Sequence, residues 1–164
     1  MNFDFIARHY NWIEKIIFRS DLEKFRSMNI ELIKDAKSIL LLGDGDGRFL
    51  EQVSKMGTEA QIISVDSSAK MINLSKIKVK TSHLNIEFNC SKIENFKPSE
   101  SFNPDLIIAH FFLDCFTHDE ALLILDRITL WAAANAKFIV SDFSITKKMS
   151  FHRVYPVSYT HLRA

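Results

Sequence analysis

Short apolar runs recur along the chain and alternate with segments whose apolar positions repeat every three or four residues. Over 3–19 the aromatic and aliphatic residues fall at helical spacing, with Tyr10, Ile13 and Ile17 on one face. Ser20-x-x-Glu23 is a capping-box pattern and predicts a second helix running to about Ile33. Residues 39–42 are all Ile or Leu, which predicts a central strand covered on both faces. Residues 61–65 predict a second strand, and 67–80 a helix with Met71, Leu74 and Ile77 on a shared face. Further strands are predicted at 86–89, 106–109 and 137–141. Before the last of these, Thr117-x-x-Glu120 opens a helix carrying Ala121, Leu125, Ile128 and Ala132, and Asn135 is placed as its left-handed C-terminal cap.

Strands that alternate with helices imply parallel βαβ units with right-handed crossovers. The predicted fold is α/β, a doubly wound three-layer sandwich with a mostly parallel sheet. Its parts are an N-terminal helical cap over 1–37, an α/β core over 38–145 and a tail over 146–164. A length of 164 residues fits one domain with a sizeable core. The net charge of +1 gives no basic footprint, so nucleic acid is not an expected partner. The apolar runs are too short to span a bilayer, and no membrane partner is expected. Cys90 and Cys115 show neither disulfide nor metal spacing and are expected to be reduced core thiols, which with the lack of an apolar leader suggests a cytoplasmic protein.

The chemistry should lie where the strands end. Three of the four glycines fall within Gly43-Asp44-Gly45-Asp46-Gly47, directly after the first strand and before an amphipathic segment at 48–56. A buried strand, a Gly-rich turn and a helix N-terminus together form a site for a nucleotide-like ligand. Asp66 ends the second strand, where a carboxylate can accept hydrogen bonds from both hydroxyls of a ribose or cap the following helix. The glycine spacing is G-x-G-x-G. A dinucleotide fingerprint needs a small residue at the sixth position, and Arg48 stands there.

The stretch 38–50 (SILLLGDGDGRFL) resembles the first motif of the class I S-adenosylmethionine-dependent methyltransferases. The similarity continues through 65–71 (VDSSAKM) and 105–113 (DLIIAHFFL), and Tyr10-Asn11-Trp12 is similar to the N-terminal helix of members that act on small molecules. The resemblance implies a Rossmann-like methyltransferase fold, S-adenosyl-L-methionine as cofactor and a small-molecule methyl acceptor. It implies that Gly43, Asp44, Gly45 and Gly47 lie against the cofactor, and that Asp66, with Ser67 and Met71 beside it, holds the ribose. Ser91 and Lys92 would flank the adenine. Ala109 and His110 would lie near the methionine end, with His110 as a candidate general base. Tyr10, Phe111, Phe112 and Asp114 would line the acceptor pocket. No metal site is expected: His110, Asp114 and His118 are spaced by four, but Thr117 as a helix cap takes them off one continuous helix.

The chain departs from the family pattern in three places. Leu41 stands where an acid usually precedes the glycines, and Ser91-Lys92 where an acid usually follows the third strand. The family's C-terminal hairpin is expected to be missing, because only 19 residues follow Ile145. Residues 157–164 resemble a translated sequencing adapter, so native sequence is expected to stop near Tyr155 or Pro156, leaving a fragment with a bare sheet edge. The alternatives are a non-catalytic S-adenosylmethionine-binding protein and a nicotinamide-dependent oxidoreductase, the latter opposed by Arg48.

Overall fold

A computed structural model of the chain describes residues 30–141, and the backbone of 155–158. The N-terminal helix predicted over 3–19, the start of the second and Tyr10 lie outside the described residues. The described chain runs α1 (Leu32–Asp35), β1 (Ser38–Leu42), α2 (Arg48–Ser54), β2 (Gln61–Asp66), α3 (Ala69–Lys78), β3 (Asn85–Cys90), β4 (Leu106–His110), α4 (His118–Trp131), β5 (Lys137–Ser141) and β6 (Tyr155–Ser158). A short 3-10 turn, Leu113–Cys115, lies between β4 and α4. The strand order is β3-β2-β1-β4-β5-β6. The first five strands are parallel, and β6 is antiparallel to β5.

β1 is central because its side chains can be buried on both faces. Leu40 and Leu42 join Ile63, Val65, Ile107, Ala109 and Phe138 beneath Ile124 and Ile128 of α4. Ile39 and Leu41 join Ile33, Phe49, Leu50 and Val53 on the side of α1 and α2. Alternate residues of one apolar run thus build two cores, which makes the three layers. At the other end of the strands the Asp105 carboxylate accepts from the N–H of Lys37 (3.0 Å) and of Ser38 (3.1 Å), tying the start of β1 to that of β4.

The helices depart from the predicted patterns in instructive ways. α3 buries Met71, Ile72 and Ser75, with Val79 just past its end, while Leu74 is half-buried and Ile77 is 69% exposed. The shared face Met71–Leu74–Ile77 is therefore wrong, because the inward arc is set by close contact with the loop before α2, which needs a small residue at Ser75. α4 carries the predicted capping box: Thr117 Oγ1 accepts from Glu120 N–H, and the Glu120 carboxylate accepts from Thr117 N–H at 2.8 Å. It buries Ile124 and Ile128, with Ala121 and Leu125 half-buried. Asn135 is not left-handed, since Phe111 is the one non-glycine residue with positive φ among the described residues. α4 instead ends as Ala132 turns extended and Ala133 N–H donates to Pro104 O at 2.9 Å.

Two further expectations are corrected. Cys90 and Cys115 are exposed, not core thiols, because one ends the half-covered strand β3 and the other sits in the 3-10 turn. The β5 edge is not bare: Tyr155–Ser158 pairs with it, Val140 opposite Tyr155 and Lys137 opposite Ser158. An open strand edge offers a row of unpaired N–H and C=O groups, and an extended segment can satisfy them. Pro156, opposite Ile139, lacks an N–H, which an edge strand tolerates.

Candidate active site

The order β3-β2-β1-β4-β5 reverses direction at β1, so the crevice beyond the strand ends opens between β1 and β4. The residues that leave β1, β2 and β4 meet there.

The glycine loop leaves β1 with all three glycines left-handed: φ is +63° at Gly43, +64° at Gly45 and +83° at Gly47. Their surroundings differ. A Cβ on Gly47 would lie 2.5 Å from Ser75 Oγ and 2.6 Å from Ser75 Cα, so this glycine permits contact between the loop and α3. A Cβ on Gly43 would lie 2.6 Å from the ring of Phe112. A Cβ on Gly45 would meet nothing within 4 Å. Of these three, Gly45 alone presents a bare backbone to open space among the described residues.

The loop's aspartates are mostly occupied with holding it. The buried Asp44 carboxylate accepts from Phe49 N–H and Leu50 N–H, both at 3.2 Å, and so caps the N-terminus of α2. Asp46 Oδ2 accepts from Arg48 Nε at 3.1 Å and from Lys78 Nζ at 2.9 Å, fastening the loop to the end of α3. Burial pushes the Asp46 carboxyl up, but the hydrogen bond and charge of Lys78, with those of Arg48, outweigh it and hold the group below its ordinary value.

Asp66 is placed differently. Its Oδ2 accepts from Gly45 N–H at 3.2 Å and its Oδ1 from Ser68 N–H at 2.8 Å. It does not cap α3; Ser68 does, accepting from Met71 N–H at 3.4 Å. A carboxylate offers about four acceptor positions, and two remain here. Burial raises the Asp66 carboxyl above its ordinary value, and the two backbone N–H groups offset part of that rise. The group is therefore short of hydrogen-bond donors for its charged form, a need that a pair of vicinal hydroxyls would meet.

The other predicted residues spread around this centre. Ser67 is exposed and Met71 is buried behind Ser68. Ser91 Oγ donates to Asn89 Oδ1 at 2.6 Å, and Lys92 is exposed beyond the end of β3. Ala109 is buried in the sheet beside Leu42. His110 is 5% exposed, with Nδ1 2.9 Å from Ser141 Oγ and its ring edge-on to Phe49 at 4.9 Å. That enclosure makes it part of the sheet's end. Phe111 is buried with φ +53°, its N–H donating to Ser141 O at 2.6 Å, and Phe112 folds back over Gly43. Asp114 lies exposed in the 3-10 turn. His110, Asp114 and His118 fall in β4, the 3-10 turn and α4, and no group of three metal-ligating side chains is gathered among the described residues. Also among them, no helix is long and apolar enough to cross a membrane.

Sequence reasoning missed two partners of the loop. Ser75 was legible only as a polar residue within a helix, and Phe112 only as one aromatic in an apolar run.

Comparison with known proteins bears on the family and the fold. Residues 39–135 match the family model described as a methyltransferase domain. The ubiquinone biosynthesis O-methyltransferase of Bradyrhizobium diazoefficiens is 37% identical over 71 residues, covering 43% of this chain and 26% of that protein. The carboxy-S-adenosyl-L-methionine synthase of Helicobacter hepaticus is 27% identical over 132 residues, covering 79% of this chain and 52% of that protein. The chain thus spans about half or less of these curated relatives. Among solved structures, the plantazolicin methyltransferase BpumL in complex with a triazolic desmethylPZN analog and SAH superposes with a TM-score of 0.65 at 20% identity, over 87% of this chain and 54% of that one. With more than half its length matched and the Rossmann-like sheet in the order 3-2-1-4-5, the chain belongs to the methyltransferase domain family of class I S-adenosylmethionine-dependent proteins.

Proposed function

We propose that the chain binds S-adenosylmethionine across the ends of β2 and β1 and belongs to a protein that transfers its methyl group to a small-molecule acceptor. The observation that carries this reading is the division of labour between Asp44 and Asp66. In a dinucleotide site the helix N-terminus faces a pyrophosphate. Here Asp44 already takes the N–H groups of Phe49 and Leu50, so a second anion would meet a buried carboxylate. The site suits a nucleoside without phosphates. Asp66 keeps acceptor positions for the ribose hydroxyls, and the open face of Gly45 leaves room beside them. These features also oppose the nicotinamide alternative, on firmer ground than Arg48 does.

When bound, the cofactor supplies a methyl group on a sulfonium, a leaving group activated by its own charge. The chain's residues then have to bind and align. Alignment of two reactants contributes about 7–11 kcal/mol to such displacements. With His110 enclosed by Ser141 and Phe49, we assign it a structural place at the end of β4 and not the role of base. The fitting acceptor is one that is already nucleophilic at working pH, or that loses its proton to a group outside the described residues.

Titration calorimetry of the chain with S-adenosylmethionine, S-adenosylhomocysteine and NAD tests the cofactor. Heat with the two sulfur compounds and none with NAD is expected; the reverse would overturn the reading. Methyl transfer from labelled cofactor to a panel of phenols, amines and carboxylic acids then tests the acceptor class.

A further inference from the structure

Three observations converge on Phe112. Its ring rests against Gly43 so closely that a Cβ there would be 2.6 Å from Cδ2. It is half-buried and held edge-to-face by Phe116, with centroids 5.2 Å apart. The turn that folds it back rests on Phe111, whose φ of +53° is strained for an aromatic residue. Strain of this kind persists only where the surroundings hold it.

The position of this ring relative to Asp66 gives it a use. In an S-adenosyl nucleoside the base and the sulfur leave the ribose on opposite sides. With the ribose on Asp66 at the end of β2, one arm points toward β3 and the other toward β1 and β4. Only the second arm reaches the crevice where an acceptor could approach; the first runs toward the sheet edge. Adjacent strands lie about 4.8 Å apart, so a sulfur one short arm from a ribose held by Asp66 would come over the exit of β1, at Gly43. The neighbour of Gly43 on the β4 side is the ring of Phe112.

We infer that Phe112 is a cofactor-recognition residue whose ring faces the sulfonium and favours the charged donor over its neutral thioether product. This rests on the cofactor reading above and moves Phe112 from the acceptor pocket to the cofactor's charged centre. A cation against an aromatic face is attracted by the ring quadrupole, whereas a thioether carries no such charge. Discrimination of this kind would help product leave after transfer, because the ring's hold on the sulfur weakens once the methyl group has gone.

The test measures dissociation constants for S-adenosylmethionine and S-adenosylhomocysteine on the full chain, by calorimetry, in wild type, Phe112→Leu and Phe112→Tyr. Phe112→Leu is expected to weaken S-adenosylmethionine relative to S-adenosylhomocysteine by about 2- to 30-fold. Phe112→Tyr, which keeps the ring, is expected to hold the wild-type ratio. Equal weakening of both ligands in Phe112→Leu would mean the ring only packs, and would overturn the inference while leaving the cofactor reading intact. Wild type that binds neither ligand would overturn both. Should Phe112→Leu fail to fold, Phe112→Met fills similar volume without a ring, and the same ratio decides.

Discussion

Replacing Gly47 and Gly45 by alanine separates packing from binding within one five-residue loop. Both residues are left-handed, so alanine at either carries the same backbone penalty, of about 1–2 kcal/mol. Both replacements also restrict the unfolded chain equally, and that term cancels in the comparison. What differs is the space. At Gly47 the new methyl group would sit 2.6 Å from Ser75 Cα, a backbone atom that no rotamer change can move. Overpacking of this kind adds about 1–3 kcal/mol. At Gly45 the methyl group enters open space.

Gly47→Ala should therefore be less stable than Gly45→Ala by about 1–3 kcal/mol in urea denaturation, at unchanged slope. Affinity should run the other way. On the proposed cofactor reading, the methyl group of Gly45→Ala enters room the ligand takes and should weaken S-adenosylhomocysteine about tenfold or more, about 1.4 kcal/mol. The folded fraction of Gly47→Ala should bind within a few-fold of wild type. Equal destabilisation by both replacements would refute the packing argument at Gly47. Wild-type affinity in Gly45→Ala would refute the assignment of that open face to the ligand.

Other expectations can be checked with the same two assays. Asp66 has a carboxyl raised by burial, and ribose hydroxyls donate to its charged form. Affinity should then fall as pH drops through the raised pKa, with proton release on binding in that range; an Asp66→Asn variant with the affinity and pH profile of wild type would exclude Asp66 from the ribose contact. Asp46 has the opposite sign: its folded pKa lies below the ordinary carboxylate value, so its contribution to stability is present above that ordinary value and lost as pH falls through the folded one. Lys78→Met should remove part of that contribution, about 0.2–1 kcal/mol by denaturation at neutral pH. Ser75 Oγ is buried without a hydrogen-bond partner among the described residues, so Ser75→Ala should be neutral or slightly stabilising, and a loss above about 1 kcal/mol would show that the hydroxyl is satisfied. Thr117→Ala should cost about 1 kcal/mol through the lost cap of α4, read as a lower urea midpoint.

The sheet was legible because each of its first five strands is a short run of consistent character. β1 reads as central from four consecutive Ile and Leu residues, and it is central. Asp66 reads as a strand-end carboxylate, and it lies within reach of the glycine loop. The loop's own bonding was not legible. That Asp44 turns inward to α2 and Asp66 outward to Gly45 depends on the angle at which α2 leaves the loop, which no local pattern encodes. The face of α3 was misread for a related reason. Hydropathy favours Ile77 over Ser75, yet size decides which can approach Gly47, and Ile77 is left 69% exposed. Cys90 and Cys115 were misplaced because a small apolar residue type says little about burial at the end of an edge strand or in a tight turn.

The glycine cluster is two devices that share one turn. Its second half is an anchor: Asp46 reaches Lys78, Asp44 caps α2, and Gly47 lets α3 come close. Its first half is, on the proposed reading, the receiving surface: Gly43 lies under Phe112, and Gly45 donates its N–H to Asp66 and leaves its other side open. Leu41, where an acid would be expected, does not disturb the fold because it belongs to the core. Position 41 is 1% exposed within the α2-side core, and burying leucine there contributes about 1.5–3 kcal/mol. On the cofactor reading proposed above, whatever an acid at that position would offer a ligand comes here from the crevice side, from Asp66 and the Phe112 ring. The cofactor reading and the role of Phe112 are thus linked: the more completely Leu41 belongs to the core, the more of the cofactor's recognition must fall to the exits of β2 and β4.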